Sequence, residues 1–253
     1  MCVTCGCHSD AVKISGIDFT FPPVAGTHAP GTDARRIVQI EHDILSKNDA
    51  EAEANRAFFR ANGIMAVNLV SSPGSGKTTL LVRTVSDLMP RMPVAVIEGD
   101  QQTSNDGGRI RATGAPALQI NTGRGCHLDS HMVAKALPQL APQRDSCLFI
   151  ENVGNLVCPA AFDLGEGARV VVISVTEGED KPVKYPDMFA SADVVLVNKI
   201  DLLPHLSFSV AALEQSVRKV NRHADILKLS ATTGEGMAEW YGWLAARRAA
   251  LMA

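Results

Sequence analysis

The sequence predicts an α/β fold with helices on both faces of a mostly parallel sheet. Short apolar segments alternate with longer stretches of helical character, which is the pattern of strands joined by crossover helices. The first apolar segment runs directly into a glycine-rich loop and a new helix, as a buried parallel strand does. The apolar segments are 64–70, 94–97, 117–120, 147–150, 170–175, 194–197 and 226–229.

Length and composition suit one domain of this kind. The chain has 253 residues, of which 46% are hydrophobic and only 5% aromatic, so we expect an aliphatic core. The net charge of −3 argues against a nucleic-acid partner, because such a partner requires a basic surface. No stretch approaches the roughly 20 apolar residues of a membrane span, and the N-terminus lacks the apolar core of a signal peptide. We therefore expect a cytoplasmic protein without a membrane partner, whose six cysteines are thiols or metal ligands.

The first 33 residues are expected to form a flexible N-terminal arm that binds metal. Cys2, Cys5 and Cys7 lie within six residues, and His8 or the α-amino group could complete a four-coordinate site for Ni²⁺ or Zn²⁺. A redox-active or incidental Cys-x-x-Cys is the alternative. Residues 34–253 are predicted to contain a helical lead-in, with helical spacing over 33–62, and then the α/β domain.

The glycine-rich loop has the residues of a phosphate-binding site. Glycines allow backbone N–H groups to face a polyphosphate, the next helix presents its positive end, and a lysine reaches the β- and γ-phosphates. Ser71 stands where the P-loop pattern begins with glycine, which is the one departure from that pattern. The predicted nucleotide-binding residues are Gly74, Ser75, Gly76, Lys77, Thr78 and Thr79.

Acidic residues follow two of the apolar segments. Asp100 and Glu151 stand at the carboxyl ends of predicted parallel strands, where ligands bind in open α/β sheets. We expect both carboxylates and the Thr78 hydroxyl to hold Mg²⁺, although Asp100 could instead orient the attacking water. The polar segment 101–114 is expected to be a loop, and Gly154 resembles a switch residue that senses the γ-phosphate. The candidate catalytic residues are Lys77, Asp100 and Glu151.

A second set of metal-capable side chains follows. Cys126 and His127 are adjacent, and His131 is one helical turn beyond His127, so we expect these three side chains to converge. Cys158 comes four residues after the switch glycine. If Cys158 joins Cys126 and His127, the metal site is coupled to the segment that hydrolysis should move. Cys147 lies inside an apolar segment and is expected to be inert.

The strand predicted over 194–197 ends in a guanine-recognition sequence, Asn-Lys-x-Asp. A carboxylate at Asp201 can accept two parallel hydrogen bonds from guanine N1–H and the exocyclic amine, and adenine presents the opposite pattern. Asn198 and Lys199 are expected to brace this loop. Ser230 and Ala231, after the last predicted strand, are expected to contact the guanine carbonyl.

Together these motifs resemble the HypB family of hydrogenase nickel-incorporation GTPases, within the SIMIBI class of P-loop NTPases. The similar stretches are SSPGSGKTT, EGDQQT, GCHLD, ENVGNLVCP, EGEDKP and NKIDLL, and the similarity extends from about residue 34 to the end. The N-terminal CxxCGC resembles the subset of the family with an additional nickel site. Many relatives have a long histidine-rich tract after the first cysteines, whereas here only His8 and His28 remain.

The resemblance implies a GTPase that converts GTP to GDP and phosphate with Mg²⁺, and that couples its nucleotide state to nickel delivery into a [NiFe]-hydrogenase large-subunit precursor. It implies Ni²⁺ or Zn²⁺ at Cys126, His127 and Cys158, in or near the interface of a nucleotide- or metal-dependent homodimer. It also implies a HypA-type nickel and zinc metallochaperone as partner. By the same resemblance, Lys181 or Lys184 would reach the nucleotide of the neighbouring subunit.

Three other functions stay open from the sequence. The urease-maturation GTPase has a similar architecture, but a Cys-Pro-His motif is expected there, whereas this chain has Cys158-Pro159-Ala160. A metal-sequestering protein could use the GTPase domain only to gate its affinity. A signalling GTPase with incidental cysteines is the third.

Overall fold

The computed structural model describes residues 11–14, 17–20, 34–100, 105–123 and 125–252. The strands are β1 (Ala11–Ile14), β2 (Ile17–Thr20), β3 (Met65–Ser71), β4 (Val94–Asp100), β5 (Ala117–Asn121), β6 (Cys147–Glu151), β7 (Ala168–Ser174), β8 (Val194–Asn198) and β9 (Asp225–Lys228). The helices are α1 (Ala34–Ala61), α2 (Lys77–Leu88), α3 (Asn105–Arg111), α4 (Ser130–Leu140), α5 (Lys181–Lys184), α6 (Pro186–Ala190), α7 (Val210–Val220) and α8 (Met237–Met252). Short 3-10 helices span Cys158–Ala161 and Ile200–His205.

The described strands form one sheet in the order β2-β1-β5-β4-β6-β3-β7-β8-β9. Strands β3 to β9 pair in parallel, which confirms the seven predicted strands and the mostly parallel sheet. β3 lies between β6 and β7, and the chain continues from it to β4 on one side and later to β7 on the other. The carboxyl end of β3 is therefore at a topological switch point, where a crevice for ligands opens.

Helices cover both faces of the sheet, as predicted. On one face α2, α3 and α8 pack against the strands, and Leu81, Ile110 and Trp240 are fully buried there. On the other face α1 and α4 cover one part and α6 and α7 cover the rest. Because both faces are covered, β3 carries buried residues along its whole length.

The predicted lead-in helix is confirmed as α1, and buried asparagines fix it to the domain. Asn48 accepts a hydrogen bond from the Ser130 N–H (3.0 Å) and donates one to the carbonyl of Asp163 (2.8 Å). Asn55 donates to the carbonyls of Ser130 (2.9 Å) and Leu164 (3.1 Å). Buried amides that pair with backbone groups specify one position for the helix.

Three segments differ from the sequence-based expectation. Residues 105–111 of the expected loop 101–114 form α3, because Ile110 is buried in the core. Helix α5 interrupts the charged segment between β7 and β8, which we expected to be a loop. Within the expected N-terminal arm, β1 and β2 pair with each other and β1 pairs with β5. The division of the chain at residue 33 stays a prediction.

None of the described helices is long and apolar enough to cross a membrane.

Candidate nucleotide and metal sites

The predicted phosphate loop connects β3 to α2. Gly74 and Gly76 have φ angles of 79° and 88°, a region that glycine adopts without strain. A Cβ on Gly76 would lie 2.6 Å from Asn198 Nδ2, so only glycine fits between the loop and β8. No side chain caps the start of α2, so its first N–H groups face the loop and can bind an anion.

Lys77 and Thr78 both contact Glu151 at the end of β6. Lys77 Nζ lies 2.8 Å from Glu151 Oε1, and Thr78 Oγ1 donates to the same oxygen at 2.6 Å. No described residue donates a hydrogen bond to the buried Glu151 Oε2. An orphaned carboxylate oxygen beside a threonine hydroxyl has the hard oxygen chemistry that Mg²⁺ prefers, so these residues fit that ion. Asp100 ends β4, the strand next to β6, and so stands at the same edge of the sheet.

The segment after β6 contacts the phosphate loop. A Cβ on Gly154 would lie 3.4 Å from the backbone of Pro73, so the two segments already touch at that point. Gly154 is therefore placed beside the loop, as a phosphate-sensing residue requires.

Two of the predicted guanine-recognition residues, at the end of β8, contact the phosphate loop. Asn198 is buried; it donates to the Ser75 carbonyl (3.0 Å) and accepts from the Ala231 N–H (3.2 Å). Lys199, at a left-handed φ of 64°, donates to the Gly74 carbonyl (2.7 Å). No described residue hydrogen-bonds to the buried Asp201 Oδ1. The two hydrogen bonds from Asn198 and Lys199 connect the end of β8 to the phosphate loop, and the unsatisfied Asp201 oxygen lies in the 3-10 helix that follows.

Asp201 lies in the 3-10 helix that follows β8, and Ser230 lies in the loop that follows β9. Ser230 is fully buried and its hydroxyl accepts a hydrogen bond from the Thr233 N–H at 3.1 Å, which closes a turn after β9.

Thr79, on α2, accepts a hydrogen bond from Arg109 of α3 at 3.1 Å.

Cys126, His127 and Cys158 form the metal-capable cluster found among the described residues. Their ligand atoms all lie within 4.8 Å of one another, and Cys126 Sγ is 3.7 Å from His127 Nδ1. The Phe162 ring stacks on His127 at a centroid distance of 4.0 Å and a tilt of 32°. Two thiols and an imidazole suit Ni²⁺ or Zn²⁺. The cysteines predicted for the N-terminal site, Cys2, Cys5 and Cys7, lie outside the described residues.

The expected convergence of His131 with this cluster is wrong. His131 Nδ1 lies 3.0 Å from Glu51 Oε2 on α1 instead. Helix α4 begins only at Ser130, after an N-cap at Asp129 in extended conformation, so His127 is not on the helix. The helical spacing between the two histidines therefore does not apply.

The lysines after β7 hold positions that the sequence did not specify. Lys181 Nζ donates to the hydroxyl of Ser72 in the phosphate loop (2.6 Å) and pairs with Glu177, while Ser72 also donates to Glu177 (2.7 Å). Lys184 pairs with Asp180 at 2.7 Å on the surface. Lys181 is thus part of the phosphate-loop surroundings in its own chain. The position of Glu177 three residues beyond the end of β7, at the ligand edge of the sheet, is the signal that could have found this group.

The phosphate loop, the buried carboxylate beside its lysine and the predicted guanine-recognition residues all lie at the same edge of a parallel sheet. This arrangement defines a P-loop GTP-binding protein. The family model described as CobW/HypB/UreG, nucleotide-binding domain, matches residues 65–228. The hydrogenase maturation factor HypB of Azotobacter vinelandii is 51% identical over 281 residues, covering 98% of this chain and 93% of that protein. The chain therefore belongs to the CobW/HypB/UreG family, in its HypB branch.

Two further comparisons agree. The hydrogenase maturation factor HypB of Rhizobium leguminosarum bv. viciae is 63% identical over 229 residues, covering 89% of this chain and 77% of that protein. The crystal structure of HypB from Helicobacter pylori in complex with nickel is similar with a TM-score of 0.75 at 36% identity, covering 80% of this chain and 95% of that chain.

Proposed function

We propose that this chain is a GTP-hydrolysing metallochaperone that couples its nucleotide state to nickel delivery during [NiFe]-hydrogenase maturation. One observation carries the proposal: residues 151–158 connect the two candidate sites. This segment begins at Glu151, which contacts Lys77 and Thr78, and ends at Cys158, in the metal-capable cluster. A change at the phosphates thus has a short covalent path to a metal ligand.

Binding of GTP would change the partners of Lys77. Its ammonium pairs with Glu151 in the structure and would move to the β- and γ-phosphates, while Asp201 would bind the guanine edge. Glu151, Asp100 and Thr78 would hold Mg²⁺, which supplies charge neutralisation at the phosphates when bound. Water then attacks the γ-phosphorus, the bond from phosphorus to the β–γ bridging oxygen breaks, and GDP and phosphate form. Gly154, against the phosphate loop, would respond to the loss of the γ-phosphate.

The cluster of Cys126, His127 and Cys158 would carry the cargo, Ni²⁺, or alternatively Zn²⁺. Cys2, Cys5 and Cys7 would form a second nickel site in the N-terminal arm. The partners that fit this role are a HypA-type nickel metallochaperone, the hydrogenase large-subunit precursor and a second copy of this chain, paired in a nucleotide- or metal-dependent way. The compartment would be the cytoplasm.

The test compares GTP turnover and nickel content in the wild type, Cys126→Ala and the matched control Cys147→Ala. Cys147 is a buried thiol outside the cluster. We expect nickel to shift GTP turnover in the wild type and in the control, and we expect Cys126→Ala to lose both that shift and one nickel ion per chain. If Cys126→Ala kept the same nickel content and the same shift, the coupled function would be contradicted.

The same measurements separate the other candidate functions. Rapid GTP turnover that no metal affects would indicate a signalling GTPase. Metal uptake with negligible turnover would indicate a sequestering protein. Nickel content measured with GDP and with a non-hydrolysable GTP analogue, together with the mass in solution, would show whether the dimer depends on nucleotide or on metal.

A further inference from the structure

One half of the metal-capable cluster carries Cys126 and His127, and the other half carries Cys158. A chain of four buried polar side chains links these two halves. Asn152 and Asn68 are fully buried, and the Glu166 and Arg169 side chains are 5% and 10% exposed. Asn152 Nδ2 donates to Asn68 Oδ1 (3.3 Å), Asn68 Nδ2 donates to Glu166 Oε1 (3.1 Å), and Arg169 Nε donates to the same carboxylate oxygen (2.9 Å). Such a network is costly to break because the loss of any one member would leave a polar partner without a hydrogen bond in the core.

The Arg169 end of this chain holds the half of the cluster that carries Cys158. Arg169 donates to the carbonyls of Ala160 and Phe162, both at 3.0 Å, and to the Ser191 hydroxyl at 3.1 Å. Arg169 is the second residue of β7, near the end of the sheet away from the phosphate loop. The backbone between Cys158 and Phe162 is therefore anchored to a part of the fold that does not touch the nucleotide site.

The Asn152 end holds the half that carries Cys126 and His127. Asn152 lies within residues 151–158, which we call the nucleotide-sensing segment. Asn152 Oδ1 accepts hydrogen bonds from the Leu128 N–H and from the Val153 N–H, each at 3.0 Å. Leu128 directly follows His127, and Asn152 directly follows Glu151. Asn152 Oδ1 thus connects the backbone that follows His127 with the backbone that follows Glu151, the candidate Mg²⁺ ligand.

We propose that Asn152 is the positioning residue through which the nucleotide state sets the position of Cys126 and His127 relative to Cys158. The inference rests on the proposed function. If Glu151 and Gly154 move with the nucleotide, Asn152 Oδ1 moves with them, and Leu128 must follow or lose the partner of a buried N–H group. Arg169 restrains the backbone that follows Cys158, so the two halves of the cluster respond unequally to the nucleotide and the distances between the ligands change.

A neighbouring asparagine is a weaker candidate for this role. Asn155 Nδ2 donates to the Cys126 carbonyl at 3.4 Å, a long contact, and Asn155 is partly exposed. Its Oδ1 accepts from the Val157 N–H within its own loop. The buried pair of short bonds at Asn152 is the stronger connection.

The test measures nickel affinity at the cluster by titration calorimetry, with GDP and with a non-hydrolysable GTP analogue. The full chain is used, with Cys2, Cys5 and Cys7 replaced by serine in every sample so that only the cluster binds. In this parent protein we expect the two affinities to differ by about five- to 150-fold, the usual range of coupling between sites. In Asn152→Ala, the ratio of the nickel affinity with GDP to that with the analogue should lie within about twofold of one.

Asn55→Ala is the matched control. Asn55 is also a buried asparagine, and it contacts backbone on both sides of the cluster, at Ser130 and Leu164, without contacting the nucleotide-sensing segment. We expect this control to keep the ratio of the parent. If Asn152→Ala also kept it, the assignment of Asn152 would be overturned while the proposed function stood. A ratio of one in the parent would overturn the proposed coupling and this inference with it.

A second measurement needs no substitution and applies even if Asn152→Ala fails to fold. Amide hydrogen exchange of the Leu128 N–H in the wild type should differ several-fold between the GDP and analogue complexes, because its acceptor moves with the nucleotide. The Phe162 N–H, bonded to the Pro159 carbonyl in the anchored half, should exchange equally in both complexes. Equal exchange of Leu128 in the two complexes would overturn the inference.

Discussion

Lys77 Nζ lies 2.8 Å from Glu151 Oε1, and the two side chains are only 9% and 3% exposed. In the absence of phosphate, this carboxylate is the counter-charge of the phosphate-loop lysine. A buried charge without its partner is strongly destabilising, and replacing the partner with a ligand restores the balance. The pair therefore links the stability of the nucleotide-free protein to its affinity for phosphate.

Glu151→Gln should lower the free energy of unfolding of the nucleotide-free protein by about 3 kcal/mol, because Lys77 loses its buried counter-charge. Saturating GDP should raise the free energy of unfolding by more in the variant than in the wild type, since the phosphates of GDP replace the missing carboxylate. Denaturant unfolding with and without GDP measures both effects. The control Glu53→Gln removes an exposed partner of Arg56 and should cost less than about 1 kcal/mol. Equal small losses in both variants would contradict the role of the pair.

Asp201→Asn should weaken GTP binding by roughly a hundredfold and improve the binding of xanthosine triphosphate relative to GTP. The reason is that the carboxylate accepts two hydrogen bonds from guanine, and hydrogen bonds to charged groups contribute about 1.5–3 kcal/mol each. Competition with a fluorescent GDP measures both affinities. The surface substitution Asp187→Asn on α6 serves as control. Unchanged GTP affinity in Asp201→Asn would rule out the guanine-recognition role.

Much of the fold and of the nucleotide site could be predicted because their signals are local. Each parallel strand is a continuous apolar run, and the carboxyl ends of such strands meet at one edge of the sheet. The phosphate loop, Glu151 and Asn198 each directly follow or end a strand, so their convergence follows from the topology. The direct contact from Lys77 to Glu151 depends on side-chain geometry, which the sequence pattern does not specify.

The remaining features depend on tertiary contacts. Gly107 and Gly108 have low helix propensity, but burial of Ile110 outweighs it and residues 105–111 form a helix. The pairing of β1 with β5 joins segments about a hundred residues apart, and short strands of this kind carry little local signal. The link from Asn152 to Leu128 is also non-local, since an asparagine in a loop has many possible partners.

Phe162→Leu should weaken nickel binding at the cluster by about tenfold, in the range seen when a residue that orients a metal ligand is changed. The Phe162 ring stacks on His127 and fixes the plane of its imidazole, whereas leucine leaves that ring freer to rotate. The affinity is measured by competition with a chelator in protein that lacks the three N-terminal cysteines. Phe58→Leu, at a partly exposed position on α1, is the control and should bind nickel as the wild type does. An unchanged affinity in Phe162→Leu would show that the stacking has no part in metal binding.

Cys147 should resist alkylation in the native protein, in contrast to Cys126. Burial in β6 raises the pKa of the Cys147 thiol to about 12, so at pH 8 almost none of the reactive thiolate is present, and the side chain is only 2% exposed. Iodoacetamide at pH 8, followed by peptide mass spectrometry, should modify Cys126 well before Cys147, and nickel should slow the reaction of Cys126 because the bound thiolate is occupied. Cys147 should react only after unfolding in guanidinium, where its pKa returns to the ordinary range and its rate should rise to that of an exposed cysteine. Labelling of native Cys147 as fast as Cys126 would mean that β6 opens readily, and would contradict a rigid strand leading into residues 151–158.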